Sequence, residues 1–378
     1  MKRIVFLDFV RVFACFLVIL VHASENFYPG PGATDMAGPQ SLLANELDRL
    51  CVSLYDGFGR ISVPLFIIVS AYLLVPMKEN ESMWSFYRRR ALRILPPFLC
   101  FMVLYSTLPL LWGQIDQATS LRDLLRLPLN FPTLAGHLWF MYPLFSIYLF
   151  TPMISPWLRK AKPREELFFI AIFAISTCMP YIIRLFGEIW GQCFWNEYHM
   201  LWYFSGYLGY VVLAHYIRVH LTWSNRQRLT VGALLLAIGS AATIYSFYIQ
   251  AIPGIIIDTP QLEIGWAFCT INVLTATAGA FLMFSTIGQK EPHRIITETS
   301  KLSYGMYLMH IFWLGYWVGI LKNDMALSSD IAIPAIAVAT FLSSLISCKI
   351  ISYIPGAKWI IGAGRGFGQE KQPRPQAA

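Results

Sequence analysis

The chain has 378 residues, 56% of them hydrophobic and 13% charged, with a formal net charge of +8. Soluble domains carry about 25% charged residues, so a soluble enzyme is excluded. The positive charge does not mark a nucleic-acid binder either, because the cations lie in short loops between apolar runs, as expected at membrane-spanning segments.

Apolar runs of spanning length, roughly 17–25 residues, recur from end to end, and the fold class they predict is an all-α polytopic membrane bundle. Ten spans are predicted, at 4–28, 50–75, 92–112, 137–156, 167–186, 199–217, 229–250, 263–287, 302–321 and 330–354. Residues 1–356 form one membrane domain, and 357–378, with its Pro- and Gln-rich end, are expected to form a disordered cytosolic tail. The N-terminal run MKRIVFLDFVRVFACFLVILVHASENF lacks a small-residue cleavage site and carries Asp8 and Arg11, so it reads as a retained first span.

Starting inside and alternating, 22 of the 29 Lys and Arg fall in cytosolic segments and five outside, with Arg11 and Arg60 within spans. Both termini are thus expected in the cytosol. The longest outer loops are 29–49 and 113–136, and LRDLLRLPL in the second is apolar at helical spacing, as in a segment lying along the membrane surface.

Charges inside spans cost several kcal/mol and are functional candidates by default. In the first span Arg11 and His22 are eleven residues apart, about 20° past three full turns and about 16 Å along the axis, so they face the same way. Asp8 and Glu25 lie one turn from Arg11 and His22, predicting the pairs Asp8–Arg11 and His22–Glu25. The second span places Arg60 near mid-membrane, with Pro64 close by and Asp56 one turn away as an ion-pair partner. Directly after it, FYRRRALRILPPF supplies Arg88, Arg89, Arg90 and Arg93. Arginine's planar fork suits bidentate phosphate binding, although topology and lipid headgroup contacts account for such a cluster nearly as well.

Of seven histidines, His215, His220 and His293 fall in cytosolic segments and carry no predicted role. His137 and His199 stand at outer span ends level with His22, and His310 near mid-depth. No ligand spacing supports zinc at His22, His137 and His199, and the seven cysteines include no CxxC. No metal is expected.

These strings together resemble the membrane acyltransferase-3 family. LDFVRVFACFLVILVH has its Arg, ten residues, His arrangement. RISVPLFIIVSAYLL resembles its second span, with Ser70-Ala71 in place of the usual Ser-Gly, and Arg90 and Arg93 match its Arg-x-x-Arg segment. HLWFMYPLFSIYLFTPMI, YFSGYLGY and SKLSYGMYLMH resemble its middle and late spans. The Arg-x-Ser-Val-Pro-Leu-Phe run is closest to the enterobacterial common antigen O-acetyltransferase type.

The resemblance implies transfer of an acyl group, usually acetyl from acetyl-CoA, to a hydroxyl of an envelope glycan or glycolipid across the bacterial inner membrane, with functional positions carried over at Arg11, His22, Arg90 and Arg93. The arginine cluster would hold the nucleotide phosphates, and the pantetheine arm would pass Arg11 toward His22. His22 would act as general base, oriented by Glu25. Arg60, Trp139 or Tyr142 would donate to the oxyanion. A covalent acetyl-histidine is equally compatible. The acceptor would meet His22 in an outer cleft that includes His137, His199 and His310 and is rimmed by Trp139, Tyr142, Trp195, Tyr198 and Trp202. The rival reading is an exporter of a glycan or small anion, which also suits intramembrane Arg and His.

Overall fold

The computed structural model describes residues 3–30, 38–187, 191, 196–288 and 292–363. Trp195 and the tail beyond Ala363 lie outside the described residues. The chain is helical almost throughout. In order, the helices are α1 (Val5–Glu25), α2 (Glu46–Gly59), α3 (Ser62–Leu74), α4 (Met83–Leu111), α5 (Gln117–Arg126), α6 (Met141–Lys160), α7 (Pro163–Ser176), α8 (Met179–Phe186), α9 (Leu208–Val219), α10 (Asn225–Tyr248), α11 (Thr259–Leu262), α12 (Ile271–Phe284), α13 (Arg294–Val318), α14 (Ser329–Ile351) and α15 (Ala357–Ile361).

Among the described residues eight segments are long and apolar enough to cross a membrane. They match eight of the ten predicted spans. The sixth, 199–217, resolves into a 3-10 turn at His199–Phe204 and the shorter apolar helix α9. The ninth, 302–321, lies largely on α13, which has the length but carries Lys301, Ser303, three tyrosines and His310 among its apolar residues. Its polarity has a structural reason: α13 packs on α1 and lines the internal cavities rather than presenting a purely apolar face to lipid.

The second span is broken in the middle. Arg60 and Ile61 separate α2 from α3, and Pro64 lies in the first turn of α3, where its missing N–H costs nothing. Helix α1 packs against α2, α3, α13 and α14, so its buried Leu17, Ile19 and Ala23 are sealed by protein rather than lipid. Elsewhere glycine sets the spacing. Helices α10 and α12 meet through Gly232, Gly239, Ala276 and Gly279, and a Cβ on Gly279 would collide with the backbone of Leu236 and Gly232. Small residues at helix crossings permit such close approach in membranes.

Loops that strict alternation assigns to one end meet there. The pairs Gln40–Asp258 and Ser41–Ile257 join the first loop to the segment after α10, and Arg184 donates to Gln250. At the other end Arg159 donates to the Met77 carbonyl and Arg218 to those of Tyr72 and Val75. Arg3 and Gly362 line one cavity at this second end, so the first and last described stretches of chain come together. The tail expected to be disordered from 357 instead begins with an ordered helix, α15, which packs against α4 and α13 because its Ala357 and Ile361 are buried there.

Candidate active site

His22 sits in the last turn of α1 with its imidazole largely covered. Its Nδ1 is 2.6 Å from Glu25 Oε2. A carboxylate accepts only, so Nδ1 carries the proton and Nε2 is left as the basic atom. The i,i+3 spacing puts the carboxylate there, and Asn26 Nδ2 donates to the His22 carbonyl at the frayed helix end.

Two further imidazoles surround His22. The His310 ring stacks on it at 5.3 Å, and His137 stands edge-on to both, at 6.5 Å from His22 and 5.0 Å from His310. His310 Nδ1 donates to the Tyr307 carbonyl at 2.6 Å, and His137 Nε2 to that of Leu308 at 3.4 Å. Each carbonyl fixes a tautomer, leaving His310 Nε2 and His137 Nδ1 as buried acceptors without a hydrogen-bond partner. Buried polar atoms are seldom left unpaired.

A cavity of about 280 Å³ opens beside His22, bounded by Glu25, Arg60, His137, Trp139, Glu263 and Phe268, among others. Arg60 Nε donates to Asp56 Oδ1 at 2.6 Å, and its Nη2 lies 3.6 Å from Glu263 Oε1. Tyr28 Oη closes the network, 2.8 Å from Glu263 and 3.2 Å from Asp56. The Arg60 guanidinium also rests on the Trp266 ring. Trp139 stacks on Phe268 at 5.5 Å and 20°, giving the cavity an aromatic side.

A second cavity, about 410 Å³, opens at the other end of α1. Arg3, Arg11, Arg90, Arg93 and Lys301 line it, with Asp8, Ser70, Tyr148 and Ser300. Asp8 organises the cations: its carboxylate accepts from Arg3 Nε at 2.7 Å and Ser300 Oγ at 2.6 Å, and Arg11 Nη1 lies 3.7 Å away. Arg90 Nε is buried without a hydrogen-bond partner. Five cations against one carboxylate give this cavity a net positive lining.

Phe66, Phe140 and Tyr307 line both cavities, so the two are divided by a single layer of aromatic side chains. Phe140 lies 6.3 Å from Phe66 and 6.0 Å edge-on from Tyr307. Tyr307 Oη donates to the His137 carbonyl at 2.6 Å, which ties the layer to the histidine cluster.

The family model described as an acyltransferase domain matches residues 4–353. The chain belongs to this acyltransferase family. No curated protein and no solved structure matches it significantly. The acyltransferase is a multi-pass membrane protein by its eight apolar segments.

Within it the structure gathers His22, Glu25, Arg60, His137 and Trp139 around one cavity, with His310 behind His22, and Arg11, Arg90 and Arg93 around the other. Other predicted site residues stand apart. Arg88 is exposed, Arg89 pairs with Glu81, and neither lines the cationic cavity. Tyr142 donates to the Pro128 carbonyl and packs on Phe98 and Phe131. His199, buried in its 3-10 turn with φ of 47°, lines neither cavity, and Trp202 is exposed.

Several residues of the candidate site carry little signal in the sequence. Glu263 opens an apolar segment, LEIGWAF, and that position was the only hint available. Tyr28 and the Phe66–Phe140–Tyr307 layer look in sequence like ordinary span residues. Only packing puts Tyr28 into the Asp56–Glu263 network and the three rings between the two cavities.

Proposed function

We propose that this membrane acyltransferase moves an acyl group, acetyl by preference, from cytosolic acyl-CoA to a hydroxyl of an extracytoplasmic glycan or glycolipid in the bacterial inner membrane, as in the enterobacterial common antigen type. The observation that carries the reading is the pair of cavities on one face of α1: a cationic one around Arg11, Arg90 and Arg93, and one around the Glu25-oriented His22, divided only by side chains.

The chemistry assigns each cavity a part. Nucleotide phosphates need fixed cations, and Arg90 and Arg93 supply planar donors for them. A thioester arm reaching past Arg11 would pass between Phe66, Phe140 and Tyr307. At the far side, His22 Nε2 takes the proton of the attacking hydroxyl as its oxygen bonds to the acyl carbon. Glu25 holds the ring and stabilises the imidazolium. Collapse of the tetrahedral intermediate breaks the C–S bond, and the thiolate takes up the proton. Arg60 lines the same cavity and supplies positive charge for the oxyanion. Trp139 offers a face to a sugar ring, while His137 Nδ1 can accept from a neighbouring hydroxyl. A carrier needs one site reachable from both ends, whereas here the cations and the base occupy separate cavities.

The test is vectorial. The protein is reconstituted in vesicles with labelled acetyl-CoA confined to the side of the termini and a glycan acceptor on the other. Labelled glycan should form on the far side without CoA crossing. Product that forms only when both substrates share one side would overturn the trans-membrane reading.

A further inference from the structure

We propose that Glu166, His215 and His220 form a zinc site that ties α7 to α9, separate from both cavities. Glu166 lies in the first turn of α7, His215 on α9, and His220 caps the C-terminus of α9. Their ligand atoms all fall within 4.8 Å of one another. His215 Nδ1 is 2.9 and 3.1 Å from the two Glu166 oxygens, and His220 Nε2 is 3.0 Å from Oε1.

Charge argues for a cation here. The Glu166 side chain is 0% exposed and that of His215 3%. A buried carboxylate is expensive unless its charge is met, and among the described residues no Lys or Arg forms an ion pair with it. Neutral imidazoles donate hydrogen bonds but add no charge, and the α7 N-terminus contributes only about half an elementary charge. A divalent ion supplies what is missing.

The donor set selects the metal. Two imidazoles and one carboxylate suit zinc, whereas Mg²⁺ prefers an octahedron of oxygens. Tetrahedral zinc with bonds of about 2.0–2.2 Å sets ligand atoms about 3.3–3.5 Å apart, so the two His–Glu166 contacts need to open by only a few tenths of an ångström, and the two imidazole nitrogens already lie within 4.8 Å of each other. Both rings must change tautomer, the proton on each coordinating nitrogen moving to the other ring nitrogen. Neutral rings then release no net proton. His220 is 15% exposed, which gives the ion a way in and leaves a fourth position for water.

The consequence is mechanical. Helix α9 packs on both α7 and α3, and α3 carries Phe66 and Ser70 of the cavity walls. A metal joining α7 to α9 would stiffen the frame behind the cationic cavity.

The experiment uses the full chain purified in detergent through a tag without histidine, stripped with a chelator and titrated with zinc. About one zinc per chain should survive desalting, Tm should rise by several degrees with zinc and not with magnesium, and chelator should reverse the rise. Glu166→Gln, which keeps an acceptor for His215, and His220→Gln should each weaken zinc binding at least tenfold. His22→Ala should bind as wild type does. A wild-type chain that desalts free of zinc with unchanged Tm would show an imidazolium–carboxylate pair only and overturn the proposal. So would zinc retained equally by Glu166→Gln, since the ion would then sit elsewhere.

Discussion

Arg11 and His22 lie on the same face of α1 yet open onto different cavities, Arg11 onto the cationic one and His22 onto the histidine-lined one. Eleven residues of helix span the aromatic layer between them. One unbroken helix thus carries a residue for each cavity, and the distance between the two residues is set by helical rise.

His22→Ala should lower transfer by about 10²–10⁴-fold, the usual loss with a general base, while the protein still purifies as a monodisperse species with near wild-type Tm. Glu25→Gln should lower kcat less, because Gln can still position the ring through its carbonyl oxygen. Turnover of His22→Ala within about tenfold of wild type excludes it as the base.

The cationic cavity separates arginines that look equivalent in sequence. Arg90→Gln and Arg93→Gln should raise KM for acetyl-CoA more than they lower kcat, since phosphate contacts persist in ground and transition states alike. Arg88→Gln should leave both within about twofold, because Arg88 lies outside the cavity. Steady-state kinetics on the three variants, side by side, decides the point.

Phe140→Leu should widen the aromatic layer. The expected outcome is a higher ratio of kcat/KM for butyryl-CoA over acetyl-CoA than in the wild type, at a modest cost in stability since the position stays apolar. An unchanged ratio would mean that the layer does not select the acyl chain.

Arg60→Met removes the cation from Asp56, whose side chain is fully buried. Stranding that carboxylate should cost about 3–5 kcal/mol, read as a large fall in Tm in detergent. Asp56→Asn combined with Arg60→Met should recover part of the loss, because the fully buried side chain at position 56 then carries no charge.

Gly279→Val should be among the most damaging substitutions away from either cavity, since any Cβ there meets backbone of α10. Loss of folded protein on size exclusion is expected, whereas Gly315→Ala on α13, with open space around it, should fold normally.

Sequence alone determined the helical membrane class, because few charges and repeated apolar runs admit no soluble core. It also determined the pairs Asp8–Arg11, His22–Glu25 and Asp56–Arg60, because helical periodicity fixes neighbours at three and four residues whatever the surroundings. Tertiary structure decided the rest. Whether Arg88 or Arg90 faces a cavity depends on what packs against α4. His137 and His310 join His22 only because α13 and the turn before α6 converge on α1. Glu166 meets His215 and His220 across some fifty residues of chain, and two histidines without a predicted role in sequence become, by burial against one carboxylate, a site. Local periodicity carries no information about such convergence, because it is set by which faces the helices bury against one another.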